Sequence, residues 1–340
     1  MRFPSRRIVL DVKIDGHNLT IEEAVSIAAG ENSASLSDKA RVRMELSRKG
    51  VEKIIASDDI VYGINTGFGA MSSVKIDSED LQQLQTNLIR SHACGVGEFM
   101  EPHHVLLMMV FRANSLAKGV SGIRPEIVDI LLTMVNNHIA PVIPRIGSLG
   151  ASGDLAPLSH MSLALLGEGQ CMVRGNSGWN TIPSIEALRG IGLDAVELEA
   201  KEGLSLINGT SQMCAYLSLT LLNLETLVFA ADASAAASLE AIKGSHSPFD
   251  TRIHTNRPQI GQSVSAARIS AFLNNSEIKN SHLNCDRVQD AYCFRCAPQV
   301  HGPVIDILAE TRRILEIEIN SATDNPLVFV DDNEVDVISG

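Results

Sequence analysis

The order of apolar and polar positions gives the first outline of the chain. Residues 8–14 ("IVLDVKI") alternate in the two-residue period of a strand and run into an Asp15-Gly16 turn. Thr20 followed by Glu23 forms a capping box, so a helix begins there and stops at Gly30. A second helix is predicted over 37–55, and 61–70 is too rich in glycine to continue it. Helical spacing then returns over 78–93, 102–118 and 124–138. Between 167 and 199 the segments "GQCMVRGNSGW" and "LRGIGLDAVELE" read as an irregular excursion with a hairpin. Residues 210–243 contain neither Gly nor Pro, which predicts one helix about 50 Å long at 1.5 Å per residue. Its residues are apolar or small on nearly every face, as in the middle of a bundle. A further helix is predicted over 303–319, with Pro303 at its start, and "VFVDDNEVDVISG" closes the chain as a strand-like run.

The expected fold class is therefore mainly α: a mixed N-terminal lobe over 1–205 and a long-helix bundle region over 206–340. Helices this long need more partners than the sequence offers, so either other chains supply them or the sequence is part of a longer one. Composition sharpens the picture. Of the 340 residues 45% are hydrophobic, 20% charged and 4% aromatic, which describes a well-buried globular chain rather than a disordered one. The net charge is −12 and Lys/Arg form no stripe, so neither nucleic acid nor an anionic membrane surface is an expected partner. The N-terminus lacks the apolar core of a signal peptide. Asn223, Glu225 and Asp232 break the longest apolar stretches, so no membrane-spanning segment is expected. Six cysteines without secretion signals read as reduced thiols, and the expected location is cytoplasmic.

Four polar clusters interrupt apolar surroundings: "VYGINTGFG" (61–69), "GASGD" (150–154), "INGTSQ" (207–212) and "VQDAYCFRCAPQ" (288–299). The first has the glycines of a phosphate-cradling loop but neither standard spacing, and equally describes a turn. In the third, Thr210 and Ser211 read as a helix N-cap, while the Asn208 amide at the start of a helix can hold a carboxylate. In the fourth, Gln289, Tyr292 and Arg295 share one face if the segment is helical, with a surface ion pair as the ordinary use of the arginine. His282-x-x-Cys285 with Cys293-x-x-Cys296 has the paired spacing of a zinc site, but inert buried cysteines are the commoner outcome and no metal is expected.

Together these clusters carry a resemblance. "GSLGASGDLAPLSH" (147–160) closely resembles the signature of the histidine and aromatic amino acid ammonia-lyases. "YGINTGFG", "KEGLSLINGT", "VQDAY..R..PQVHG" and "INSATDNP" follow in the order that family has them. The resemblance runs from about residue 8 to residue 340 and implies the family's mostly helical homotetramer, with active sites drawing on more than one subunit. It also implies that Ala151-Ser152-Gly153 cyclises to methylidene-imidazolone (MIO), an electrophile formed from the chain itself with no external cofactor. The chemistry suits the residues, because attack of the Gly153 amide on the Ala151 carbonyl needs a bent, open backbone.

The implied reaction is loss of ammonia from an L-amino acid to give a trans-α,β-unsaturated acid. Tyr62 matches the family's catalytic base. A phenol with a pKa of about 10 is a poor base at neutral pH, so the site must favour its phenolate. Arg295 matches the arginine that holds the substrate carboxylate, a task for its two-pronged fork. Asn208, Gln289 and Tyr292 match residues that position substrate and prosthetic group. Ser91-His92 stands where the family reads the substrate side chain and resembles the histidine-acting members, so L-histidine giving trans-urocanate is the expected reaction. The alternatives are a phenylalanine or tyrosine ammonia-lyase, an aminomutase of the same family, or a catalytically inactive truncated homologue acting in assembly. Members of the family commonly continue well past this point, so the chain is expected to lack the C-terminal part.

Overall fold

A computed structural model describes residues 9–57, 59–67, 74–77, 79–150, 152–281, 287–331 and 334–339. They form two compact units, one of Met1–Leu217 with Glu316–Gly340 and one of Ser218–Leu315.

The first unit opens with a parallel pair, β1 (Asp11–Ile14) and β2 (Ser33–Leu36), linked by α1 (Ile21–Ala29). The predicted capping box is present: Thr20 Oγ1 accepts the Glu23 N–H while the Glu23 carboxylate accepts the Thr20 N–H, and Gly30 ends the helix at φ +76°. Ser37 caps α2 (Asp38–Ile55). After α3 (Leu81–His92) comes β3 (Val96–Phe99), and then α4 (Pro102–Leu116), which is buried continuously over 105–116. A helix without a polar face belongs in the centre of a packed unit, and α1 and α5 (Pro125–Asn136) flank it. Two short strands follow, β4 (Ile139–Pro141) and β5 (Pro144–Ile146), the latter antiparallel to β3.

Next, α6 (Leu155–Leu165) leads to the expected hairpin, β6 (Gln170–Gly175) and β7 (Gly178–Pro183), closed by Asn176-Ser177 and extended by β4 on its other edge. Then α7 (Ser184–Gly190) and the single turn and a half of α8 (Glu202–Ile207) lead into α9 (Ser211–Ala241). The predicted long helix is thus real, with 31 residues spanning about 46 Å.

The second unit contains the rest of α9, then α10 (Thr251–Thr255), α11 (Ile260–Phe272), α12 (Glu277–Ser281), α13 (Tyr292–Arg295) and most of α14 (Ala297–Glu318). Ala236, Leu239, Phe249, Ile269, Leu273 and Ala297 form its core. By length and composition α9 does qualify as a possible membrane span, contrary to the sequence expectation. Within this unit, however, its acidic residues have protein partners. Asp232 is fully buried and accepts hydrogen bonds from Ser265 Oγ and His301 Nδ1, and Glu225 takes a bidentate pair from Arg312.

Two further expectations are corrected. The last helix starts at Ala297, not Pro303, so the proline sits inside it. Proline disfavours helical backbone at the preceding residue largely through that residue's Cβ, and Gly302 has none. The closing run is not one strand but a hairpin, β8 (Leu327–Asp331) and β9 (Glu334–Ile338). Val328 packs with Val51, Ile54 and Ile64, and its N–H donates to the Val120 carbonyl. Residues 316–340 therefore join the N-terminal unit rather than the 206–340 bundle region.

Candidate active site

The signature segment turns between β5 and α6. Gly150 and Gly153 have φ of +79° and +77°, values that favour glycine. The Gly153 N–H donates to the Gly150 carbonyl at 3.3 Å, and the Leu149 N–H to the Gly153 carbonyl at 3.1 Å. Ser152 is exposed, whereas Gly153 is buried; Ala151 lies outside the described residues. Gly153 forms a parallel bridge with Gly209. The contact is close enough that a Cβ at position 153 would stand 2.5 Å from the Gly209 carbonyl oxygen. That same oxygen accepts the Asp154 N–H at 2.8 Å.

Asp154 then performs the capping that the sequence assigned to Thr210 and Ser211. Its carboxylate accepts the N–H groups of Gln212 (2.6 Å) and Met213 (3.1 Å) in the first turn of α9, while Thr210 Oγ1 donates to Glu318. A buried carboxylate is the stronger partner for the positive end of a 31-residue helix. Burial pushes the Asp154 carboxyl above the ordinary range, against the opposing pull of these N–H groups.

Asn208 is not at the start of a helix but at the end of α8, as its C-cap. Its Nδ2 donates to the Asn325 carbonyl at 3.1 Å. The loop carrying Tyr62 sits on the same elements, since a Cβ at Gly63 would lie 2.9 Å from both Leu204 of α8 and Pro326. Tyr62 is 38% exposed. The loop is built inward rather than as a phosphate cradle: the Val61 N–H donates to Asn65 Oδ1 and the Gly63 N–H to Thr66 Oγ1. Residues 68–69 of this motif lie outside the described residues. The clusters at 61–67, 150–154 and 207–212 thus meet around α8, Gly209 and the 325–326 peptide.

His92 is the last residue of α3, and its Nδ1 lies 2.9 Å from the Leu88 carbonyl oxygen. A carbonyl only accepts, so Nδ1 is the donor in this bond, and in the neutral ring Nε2 is then an acceptor. The N–H of nearby Gly95 donates to Nε2 of His160, on α6.

Gln289, Tyr292 and Arg295 belong to the other unit. They do not share a helical face, because α13 has only four residues and Gln289 precedes it. Asp290 anchors that stretch outside a helix, accepting from the Ser245 N–H and from Arg287. Tyr292 is 72% exposed. Arg295 stacks on its ring at 4.2 Å from the centroid, instead of making the expected ion pair with a described carboxylate. His282 and Cys285 lie outside the described residues; Cys293 is exposed and Cys296 partly buried. Among the described residues no His/Cys/Asp/Glu group is arranged for a metal.

Sequence reading passed over one residue at this site. Arg112 is fully buried in the centre of α4, where its Nη1 donates to the Asn208 carbonyl at 2.8 Å and its Nη2 to the Ser205 carbonyl. The available signal was a lone arginine within "VLLMMVFRANSL". Beside it, buried Lys201 pairs with Asp324 at 2.7 Å.

A sequence model of the aromatic amino acid lyases matches residues 19–340. The histidine ammonia-lyase of Myxococcus xanthus (strain DK1622) is 47% identical over 324 residues, covering 95% of this chain and 63% of that protein. The chain therefore spans less than two thirds of that relative's length. Among solved structures, histidine ammonia-lyase from Trypanosoma cruzi superposes with a TM-score of 0.85 at 37% identity, over 97% of this chain and 60% of the other. Tyrosine aminomutase from Streptomyces globisporus superposes with a TM-score of 0.86 at 34% identity, over 97% and 65%.

Proposed function

The chain belongs to the aromatic amino acid lyase family, and on that premise we propose that it eliminates ammonia from L-histidine to give trans-urocanate. The observation that carries this reading is the turn at 150–153. Two left-handed glycines bend it, Ser152 is exposed, and position 153 has no room for a side chain. That is the open, bent backbone from which Ala151-Ser152-Gly153 would form MIO, so the residues fit the group. Once formed, it supplies an electrophile that makes the substrate amine a leaving group.

The chain's own side chains supply the rest. Tyr62 takes the β-proton from the substrate, a transfer of the kind that contributes about 10²–10⁴-fold to rate. Arg295 holds the substrate carboxylate through two parallel N–H···O bonds, and Asn208, Gln289 and Tyr292 orient the substrate. His92, with Nδ1 donating to Leu88, presents Nε2 to accept an N–H from an imidazole substrate. That acceptor favours histidine over phenylalanine, whose ring has no N–H to give. The assembly we propose is the family's homotetramer.

Incubation with L-histidine, followed by urocanate absorbance and released ammonia, tests the reading. The parent protein should form both in equal amounts, and Ser152→Ala should fall to background while keeping its fold. Turnover retained by Ser152→Ala would sink the mechanism.

A further inference from the structure

Arg112 carries the strongest unassigned feature of the first unit. A guanidinium at 0% exposure inside a largely apolar helix is expensive to bury. Burial pulls its pKa down to about 10, opposed by the charges of Asp324 and Asp154, so it remains a cation at neutral pH. Its fork spans the Ser205 and Asn208 carbonyls at the end of α8. A Cβ on Gly209 would meet Arg112 Nη1 at 2.5 Å and Thr323 Oγ1 at 2.6 Å. The cation therefore lies directly behind Gly209. On its other side, Gly209 lies against Gly153, its carbonyl oxygen filling the space a Cβ at 153 would take.

We infer that Arg112 is a positioning residue for formation of the prosthetic group: it fixes the Asn208–Gly209 backbone as the rigid surface against which Gly153 is held for ring closure. This rests on the proposed function. The step it serves forms a bond between the Gly153 nitrogen and the Ala151 carbonyl carbon. The Ala151 oxygen leaves as water with the amide hydrogens of Gly153 and Ser152. The Ser152 hydroxyl then leaves as a second water with the Ser152 Cα hydrogen, and no oxidant is needed. Among the described residues Arg112 hydrogen-bonds to Ser205, Asn208 and Thr323, and not to Ser152 or Gly153. Because ring closure depends on near-contact geometry, a displacement of about 1 Å is enough to slow it about 100-fold. A neutral side chain at 112 bridges neither carbonyl, and a lysine supplies a point charge without the fork.

The test is the intact mass of the full chain at intervals after synthesis, with a peptide map over 147–160 and thermal unfolding of the same samples. The parent should lose two waters. Arg112→Met should fold yet stay largely unmodified at times when the parent is complete, and Arg112→Lys should fall between them. Gly209→Ala, which pushes on the same contact from the other side, should also be slow, and it decides the matter if Arg112→Met does not fold. Gly302→Ala, a destabilising change in the other unit, should dehydrate at the parent's rate. Arg112→Met or Gly209→Ala dehydrating as fast as the parent overturns the inference and leaves the proposed function standing. So does Gly302→Ala proving equally slow, since a general folding delay would then account for the effect. A parent chain that never loses water overturns the proposed function itself, and this inference with it.

Discussion

The N–H of Gly95 donates to Nε2 of His160 at 3.1 Å, a bond that exists only while that nitrogen is unprotonated. Burial holds the His160 pKa below the ordinary histidine value of 6.5. The sign follows from proton counting. Below about pH 6.5 the unfolded chain binds a proton more readily than the folded one, so stability falls as the pH drops through the folded-state value; above about pH 6.5 the group has little effect. His160→Gln, which keeps an acceptor but does not titrate, should flatten the acid limb of a plot of melting temperature against pH. An unchanged acid limb would remove His160 from the account. At this scale the sequence singles out candidates only where the pattern is local. Ser152 and Gly153 show in their own dipeptide, whereas Arg112 takes its meaning from Asn208, 96 residues away, and Asp154 from Gln212, 58 residues away. No local pattern records such partners.

Elements were legible where their ends carry their own signals. The Thr20–Glu23 box and Gly30 bound α1, and Ser37 opens α2. They were less legible where packing overrides local preference. Pro303 reads as a helix start yet lies within α14, and Asp290 keeps Gln289 out of the helix that local spacing offered it. The crossing of α11 and α14 explains a glycine that sequence alone left unexplained. A Cβ on Gly302 would come within 2.4 Å of the Gln262 nitrogen, and one on Gly261 within 2.0 Å of the Gly302 carbonyl oxygen. Asp306 of α14 also accepts the Gly261 N–H in the first turn of α11. Backbone cannot yield as a flexible side chain can, so Gly302→Ala should destabilise the protein by about 1–3 kcal/mol. Chemical denaturation would show this as a lower midpoint at unchanged slope; an unchanged midpoint would mean that the two helices separate without penalty.

Assembly of whole molecules follows from surfaces that the second unit does not bury within itself. On α14, Val300, Val304, Ile307 and Ile314 are all exposed, spaced by four, three and seven residues along a single stripe. On α9, Leu224 and Leu227 are exposed as well, Leu227 at 61%. Side chains of this size are worth about 1.5–3 kcal/mol each when removed from water, and stripes of them mark interaction surfaces. Further copies of the chain would cover them, in keeping with the proposed homotetramer. Leu227→Glu with Ile307→Glu should therefore shift the particle from four chains towards one or two in light scattering, with little change in secondary structure. If active sites draw on several subunits, urocanate formation should fall in step with the loss of tetramer while the two-water mass deficit persists, because the Gly153–Gly209 contact lies wholly within one unit. A double variant that stays tetrameric would show that these stripes face something other than a second copy. One that dissociates yet keeps full turnover would show that a single chain carries a complete site.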